Sequence, residues 1–280
     1  MNINYHEEIH SSGNGPYSLH YMLAEKVKFL LDCGKVEVCE KYLKNIHFKY
    51  RIIIDFFNNE VKKTNNLEVL EIGSSTGFLS AFLRARGFNV YGIDISEKAI
   101  KISTQLFGNH YGQREKKTHY DLIYHTGLIG CVDNPKEFLG YYLSILNHEG
   151  IMLFNAPNLN SVKQLNELWV DTPPPDLIYL FSKKSFKFMI NSDKYDLIFN
   201  ELFDYIKIFK KNMHFFKKKP FIDYPKIFAN KPNMILKNNL NVLKGVLKNS
   251  IKIFAFFLSS VGLFNKYDDE YGLCIRITKK

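Results

Sequence analysis

The chain has 280 residues, 46% of them apolar and 15% aromatic, enough to fill one large domain or two small ones without staples. Its four cysteines, Cys33, Cys39, Cys131 and Cys274, form no CxxC pair and have no histidine at zinc-ligand spacing, which argues against a disulfide framework and against a structural zinc or other metal. The net charge of +10 is local, since residues 1–200 hold 22 Lys and Arg against 22 Asp and Glu whereas the last 80 hold 16 against 6. The opening residues lack a basic segment followed by an apolar one, and no apolar run approaches the roughly 20 residues of a membrane-spanning helix, so the expected location is the cytoplasm.

Residues 1–60 read as a helical lead-in, because Leu, Ile, Val and Phe recur three and four apart over 20–31 and 36–57. From 66 to about 157 short β-branched runs alternate with helical stretches: LEVLEIG, a helix over 76–86, NVYGIDI, a helix over 97–107, YDLIYH, a helix over 135–146, and GIMLFNA. Strict alternation of this kind implies a parallel sheet with crossover helices. Pro157 and the triplet Pro173, Pro174 and Pro175 bracket a loop-and-helix passage. Ser182 then caps a helix over 182–190, and a strand, YDLIFNEL, starts at Tyr195. Residues 205–264 change to Lys, Asn and Phe and end in a helical run from Leu240, before a last strand, YGLCIRIT. A strand there splices the basic stretch between the last two strands of one sheet. The expected fold class is α/β, a Rossmann-like, mostly parallel sheet with helices on both faces. Its parts are an N-terminal helical lid (1–60), a core (61–204), a basic, aromatic-rich helical insertion (205–264) and a closing strand of the core (265–280).

The chemistry concentrates in LEVLEIGSSTGFLSAFLRARG. A strand ending in an acid, Glu71, runs into a tight turn with Gly73, Ser75 and Gly77 and then a helix, so the backbone can approach a ligand at the helix N-terminus. About 20 residues on, the second strand ends with Asp94, whose carboxylate can accept hydrogen bonds from both hydroxyls of a ribose. Gly73 and Gly77 are four apart with no third glycine in phase, which makes the Gly-x-Gly-x-x-Gly turn of NAD enzymes a distant alternative.

These residues resemble class I S-adenosylmethionine-dependent methyltransferases, especially the broad family of ubiquinone and sugar methyltransferases. The family's acid followed by Gly-x-Gly-x-Gly is matched by Glu71, Gly73, Ser75 and Gly77, with serine at the middle glycine. YDLIYHTGLIGCVDNP is similar to its fourth strand and loop, keeping Asp121, Val132 and Pro135 in register, while the family's Glu-His falls on Gly130 and Cys131. LNHEGIMLFNAPN and LIYLFSKKSFKFMI resemble its next strand and a later helix. The resemblance implies S-adenosylmethionine as cofactor, held by Glu71, Gly73, Ser74, Ser75, Gly77, Asp94, Ile95 and Thr126. Between Ser96 and Asp121 the chain is too short for a full third strand with an adenine-contacting acid, so the adenine contacts stay unassigned.

Methyl transfer to oxygen needs alignment of acceptor, methyl and sulfur, and a group to take the acceptor's proton. His125, at the carboxyl end of the fourth strand, is the first candidate for that base, against a role that only lines the site. His10 and His20, with Tyr5, Tyr17 and Tyr21 nearby in sequence, are N-terminal alternatives. Tyr17, Asn155 and Asn158 are candidates for holding the acceptor. In residues 205–264, 12 lysines and a single acid, Asp223, are interleaved with aromatics such as Phe209, Phe215, Phe216 and Tyr224. Lys244, Lys248 and Lys252 recur every four residues. Such a segment is either a solvated lysine face or a site for an anionic acceptor, an anionic membrane surface or nucleic acid.

The expected activity is O-methylation of a small hydroxylated acceptor, such as a sugar or a phosphorylated or nucleotide-linked precursor of a cell-surface polysaccharide. Two alternatives stand beside it. A nucleic-acid methyltransferase is disfavoured, because neither an Asn-Pro-Pro-Tyr motif nor a Pro-Cys nucleophile follows the fourth strand. A cofactor-binding partner subunit without catalysis is the other.

Overall fold

The computed structural model describes residues 18–46, 48–61, 67–159, 178–200 and 273–280. By spatial contacts the chain divides into two units, Met1–Glu201 with Tyr271–Lys280, and Leu202–Glu270; every described residue belongs to the first. The basic stretch at 205–264, together with Tyr5, His10 and Tyr17, lies outside the described residues.

Three helices precede the sheet: α1 (Ser18–Asp32), α2 (Val36–Ile46) and α3 (Phe48–Asn59). The single helix expected over 36–57 is therefore two. The carbonyl of Lys44, which an unbroken helix would offer to a main-chain N–H one turn on, instead accepts from Nε and Nη2 of Arg51 at 3.1 and 2.9 Å. There follow β1 (Glu68–Ile72), α4 (Phe78–Ala85), β2 (Asn89–Ile93), α5 (Glu97–Phe107), β3 (Tyr111–Gly112) and β4 (Tyr120–Thr126). The chain continues through α6 (Pro135–Ser144), β5 (Leu146–Ala156), α7 (Lys183–Met189), β6 (Tyr195–Asn200) and β7 (Leu273–Lys279).

The strands form one seven-stranded sheet in the order β3-β2-β1-β4-β5-β7-β6. β3, β2, β1, β4 and β5 run parallel, and β7 is antiparallel to both β5 and β6. The third strand is cut to two residues, as the short 96–121 link implies. Helices cover both faces, which is why the central strands read as near-continuous apolar runs. On one face Leu70, Ile72, Ile123 and Phe154 pack with Leu139 of α6 and Phe186 of α7. On the other, α3 buries Ile53, Ile54 and Phe57, and the Phe57 ring meets Phe88 at 4.7 Å and Tyr124 at 6.0 Å, both edge to face.

Local signals set the helix starts. Ser96 accepts from the N–H of Ala99 at the head of α5, Asn134 from that of Glu137 at α6, and Ser182 forms a reciprocal capping box with Ser185 at α7. Among the described residues no helix is long and apolar enough to cross a membrane, and no group of three or more His, Cys, Asp and Glu could hold a metal ion.

Candidate active site

Four parallel strands end side by side. Ile72 pairs with Ile93 and with His125, His125 with Phe154, and Thr126 with Asn155. The peptides that leave them, beginning at Gly73, Asp94, Gly127 and Pro157, therefore share one edge of the sheet, the carboxyl edge where open α/β sheets bind ligands.

The turn from Gly73 to Gly77 is built from left-handed residues, with φ of 68° at Gly73, 49° at Ser75 and 76° at Gly77. Ser75 carries a side chain in that region at a cost of about 1 kcal/mol. Backbone bonds pin the turn from two strands. Ser74 N–H donates to the Ile93 carbonyl at 2.9 Å, Ser75 N–H to Oδ2 of Asp94 at 2.8 Å, and Gly77 N–H closes onto Ser74 at 2.9 Å. Beneath the turn lies Tyr111 of β3. Its hydroxyl donates to the Gly77 carbonyl at 2.7 Å and accepts from Nη2 of Arg84, also at 2.7 Å. Sequence reasoning missed this support, because a two-residue strand carries no periodicity to mark it.

Asp94 is half-buried, and its Oδ1 accepts from Ser96 N–H at 3.0 Å. Through these two bonds Asp94 ties the glycine turn to the start of the next helix. Next to it Ile95 exposes 41% of its surface, an apolar face beside the acid, and Thr126 is half-buried at the end of β4. Gly73, Ser74, Ser75, Gly77, Asp94, Ile95 and Thr126 thus lie along the shared edge.

Glu71 does not. Alternation along β1 sets it on the face opposite Leu70 and Ile72, under α4, where it is buried and accepts a hydrogen bond from the Ser80 hydroxyl. Burial raises its carboxyl from the ordinary 4.5 to about 7, against the lowering effect of Ser80 and of the Arg84 charge. Its place is below the turn, where it bonds the first turn of α4.

His125 lies in the core beneath the carboxyl end of β4. The ring is fully buried, stacked on Phe154 at 4.7 Å and edge-on to Phe138 at 5.7 Å. Nδ1 accepts the Leu128 N–H at 3.3 Å, so the neutral ring carries its proton on Nε2, which has no hydrogen-bond partner among the described residues. Burial lowers its pKa to about 3. With one nitrogen engaged and the other already protonated, the geometry opposes a general base and favours a packing role. His125→Asn, which can keep an acceptor for Leu128, is expected to hold turnover within about tenfold, and a loss of roughly 10²- to 10⁴-fold with intact folding would restore the base assignment.

Asn155 and Asn158 are buried where β5 leaves the sheet, and the backbone of Asn158 bridges Phe181. His20 lies against the turn. Its Nδ1 is 3.0 Å from Oγ of Ser75, its carbonyl accepts from the Thr76 hydroxyl at 2.9 Å, and its ring meets Phe78 edge-on at 5.9 Å.

A family model described as a methyltransferase domain matches residues 41–198, more than half of the chain. The chain belongs to this methyltransferase-domain family. It is 23% identical over 135 residues to the ubiquinone biosynthesis O-methyltransferase of Leptothrix cholodnii, covering 43% of this chain and 57% of the relative. It is likewise 23% identical over 129 residues to the protein of the same name from Nitrosomonas europaea, covering 42% and 55%. The chain thus spans a little over half the length of these curated relatives. Among solved structures it is similar to magnesium protoporphyrin IX methyltransferase from Synechocystis PCC 6803 with bound SAH, at 16% identity and a TM-score of 0.45, over 55% of this chain and 76% of that one.

Proposed function

We propose that this methyltransferase domain takes a methyl group from S-adenosylmethionine and places it on an oxygen of a small hydroxylated acceptor. The observation that carries the reading is the turn from Gly73 to Gly77 held against Asp94 at the carboxyl edge of the sheet. The residues there fit the cofactor: a carboxylate for the ribose hydroxyls, an exposed apolar side chain, Ile95, for a purine face, and a left-handed turn that lets backbone come close. When bound, S-adenosylmethionine supplies a methyl group already activated on a sulfonium. The protein's task is then alignment, with Asp94 and the turn fixing one end of the donor and the β4 and β5 ends flanking the acceptor side.

The names of the two curated relatives support an oxygen acceptor. The local excess of positive charge, 12 lysines against one acid over 205–264, supports an anionic one, such as a phosphorylated or nucleotide-linked sugar precursor of a cell-surface polysaccharide. The same charge supports peripheral contact with an anionic membrane surface, and the proposed location is the cytoplasm at the inner membrane face. Tyr17, Asn155 and Asn158 are the proposed acceptor contacts.

Calorimetric titration with S-adenosylmethionine and S-adenosylhomocysteine, with NAD and ATP as controls, tests the donor site. Micromolar binding of the first pair alone is expected, and no binding of either would sink the reading. Asp94→Ala should weaken that binding at least tenfold, since it removes charge-assisted hydrogen bonds worth roughly 1.5–3 kcal/mol. Unchanged affinity in a folded variant would remove Asp94 from the site.

A further inference from the structure

Ser75 is bonded from both sides. Its main-chain N–H reaches Oδ2 of Asp94 at 2.8 Å, and its hydroxyl meets Nδ1 of His20 at 3.0 Å. His20 belongs to α1, 55 residues earlier in the chain, and α1 is anchored by the buried side chains of Leu23, Ala24 and Val27. The next residue of the turn, Thr76, holds the carbonyl of His20 at 2.9 Å. One residue of α1 therefore meets the turn through its side chain and through its backbone. The serine itself is unusual there. At φ 49° a glycine would be relaxed, and a non-glycine residue persists in that region where its surroundings over-determine it.

We propose that His20 is a positioning residue for the methyl donor. It clasps Ser75, and through Ser75 it fixes the peptide whose N–H orients Asp94. The serine at this turn is there to receive the histidine: its hydroxyl is directed to α1, and the clasp makes α1 a fixed wall of the donor site. Donor affinity then depends on a residue far from the glycine turn in sequence, through the hydrogen bond between His20 and Ser75. This inference rests on the donor reading above.

The test is a double-mutant cycle in the full chain, read by calorimetric affinity for S-adenosylmethionine and by thermal melting. A hydrogen bond of ordinary strength predicts that His20→Ala and Ser75→Ala each weaken donor binding about fivefold, and that the double variant is no weaker than either one. His20→Asn, which can present a polar atom near the place of Nδ1, should recover affinity to within about twofold. Ser75→Gly separates positioning from stability, since it relieves the strained φ while removing the hydroxyl: melting should hold or rise while affinity falls. Additive losses, failure of His20→Asn to rescue, or unchanged affinity in folded His20→Ala would each overturn the proposal. A readout without ligand keeps it distinct from the donor reading: the ¹⁵N resonance of His20 Nδ1 should shift in Ser75→Ala. If the wild type fails to bind donor, the donor reading fails. The clasp is then judged on this resonance alone, and an unmoved signal overturns it.

Discussion

Gly77→Ala is expected to destabilise the fold by roughly 2–5 kcal/mol and to abolish donor binding. A Cβ at this position would lie 2.5 Å from Cζ of Tyr111, 2.6 Å from its Cε1 and 2.7 Å from Cβ of Ser103, and the residue would keep a φ of +76°. Left-handed backbone accounts for about 1–2 kcal/mol and forced overpacking for about 1–3. The collision has no easy relief, because the Tyr111 ring is held at its hydroxyl by the Gly77 carbonyl and Arg84, and the Arg84 guanidinium lies 4.9 Å from the ring centroid. Urea unfolding gives the magnitude. A second change, Tyr111→Ala in the Gly77→Ala background, identifies the cause: if the clash dominates, part of the loss returns. A single variant less than about 1 kcal/mol weaker than wild type would show that the turn yields without Tyr111.

Glu71→Gln is expected to stabilise the protein by up to about 3 kcal/mol at pH 8 and by almost nothing below pH 4.5. The folded carboxyl titrates near 7 and the unfolded one near 4.5, so the folded state binds the additional proton between those values. Stability is full below the unfolded pKa and falls as pH rises through the folded one. The span of about 2.5 pH units, at about 1.4 kcal/mol each, sets the size. Glutamine keeps an acceptor for the Ser80 hydroxyl and removes the buried charge. Chemical denaturation of both proteins from pH 4.5 to 8.5 checks this, and parallel pH profiles would mean that Ser80 and Arg84 offset the burial of the carboxylate.

The two buried ionisable groups also show where sequence reading stops. β1, its glycine turn and α4 were legible because each has a local cause: β-branched alternation, left-handed positions and the start of an apolar helix. Asp94 and α5 followed from the strand end and the Ser96 cap. The place of Glu71 just before the turn marks it as a candidate ligand residue, while the apolar Leu70 and Ile72 around it set its side chain on the other face of β1. His125 could not be placed by alternation at all: β4 is covered on both faces, so Tyr124 and His125, adjacent and opposed, are equally buried. The contacts of His20 and Tyr111 join residues 55 and 34 positions apart, and no local pattern encodes such pairs.

The position of β7 has a consequence for how the sheet is made. β6 forms its strand pairings with β7, and β7 stands between it and β5, so the two strands wait for residues that enter the chain 73 positions after Asn200. The parallel half carries the glycine turn and can assemble from contacts within residues 68–156, whereas closing the antiparallel half requires a much longer loop entropy to be met first. Until Leu273–Lys279 arrives, β5 is an open edge with a run of unpaired backbone donors and acceptors, a template for pairing with another chain. A chain cut before Leu273 should therefore aggregate through β5 while its donor half is already formed.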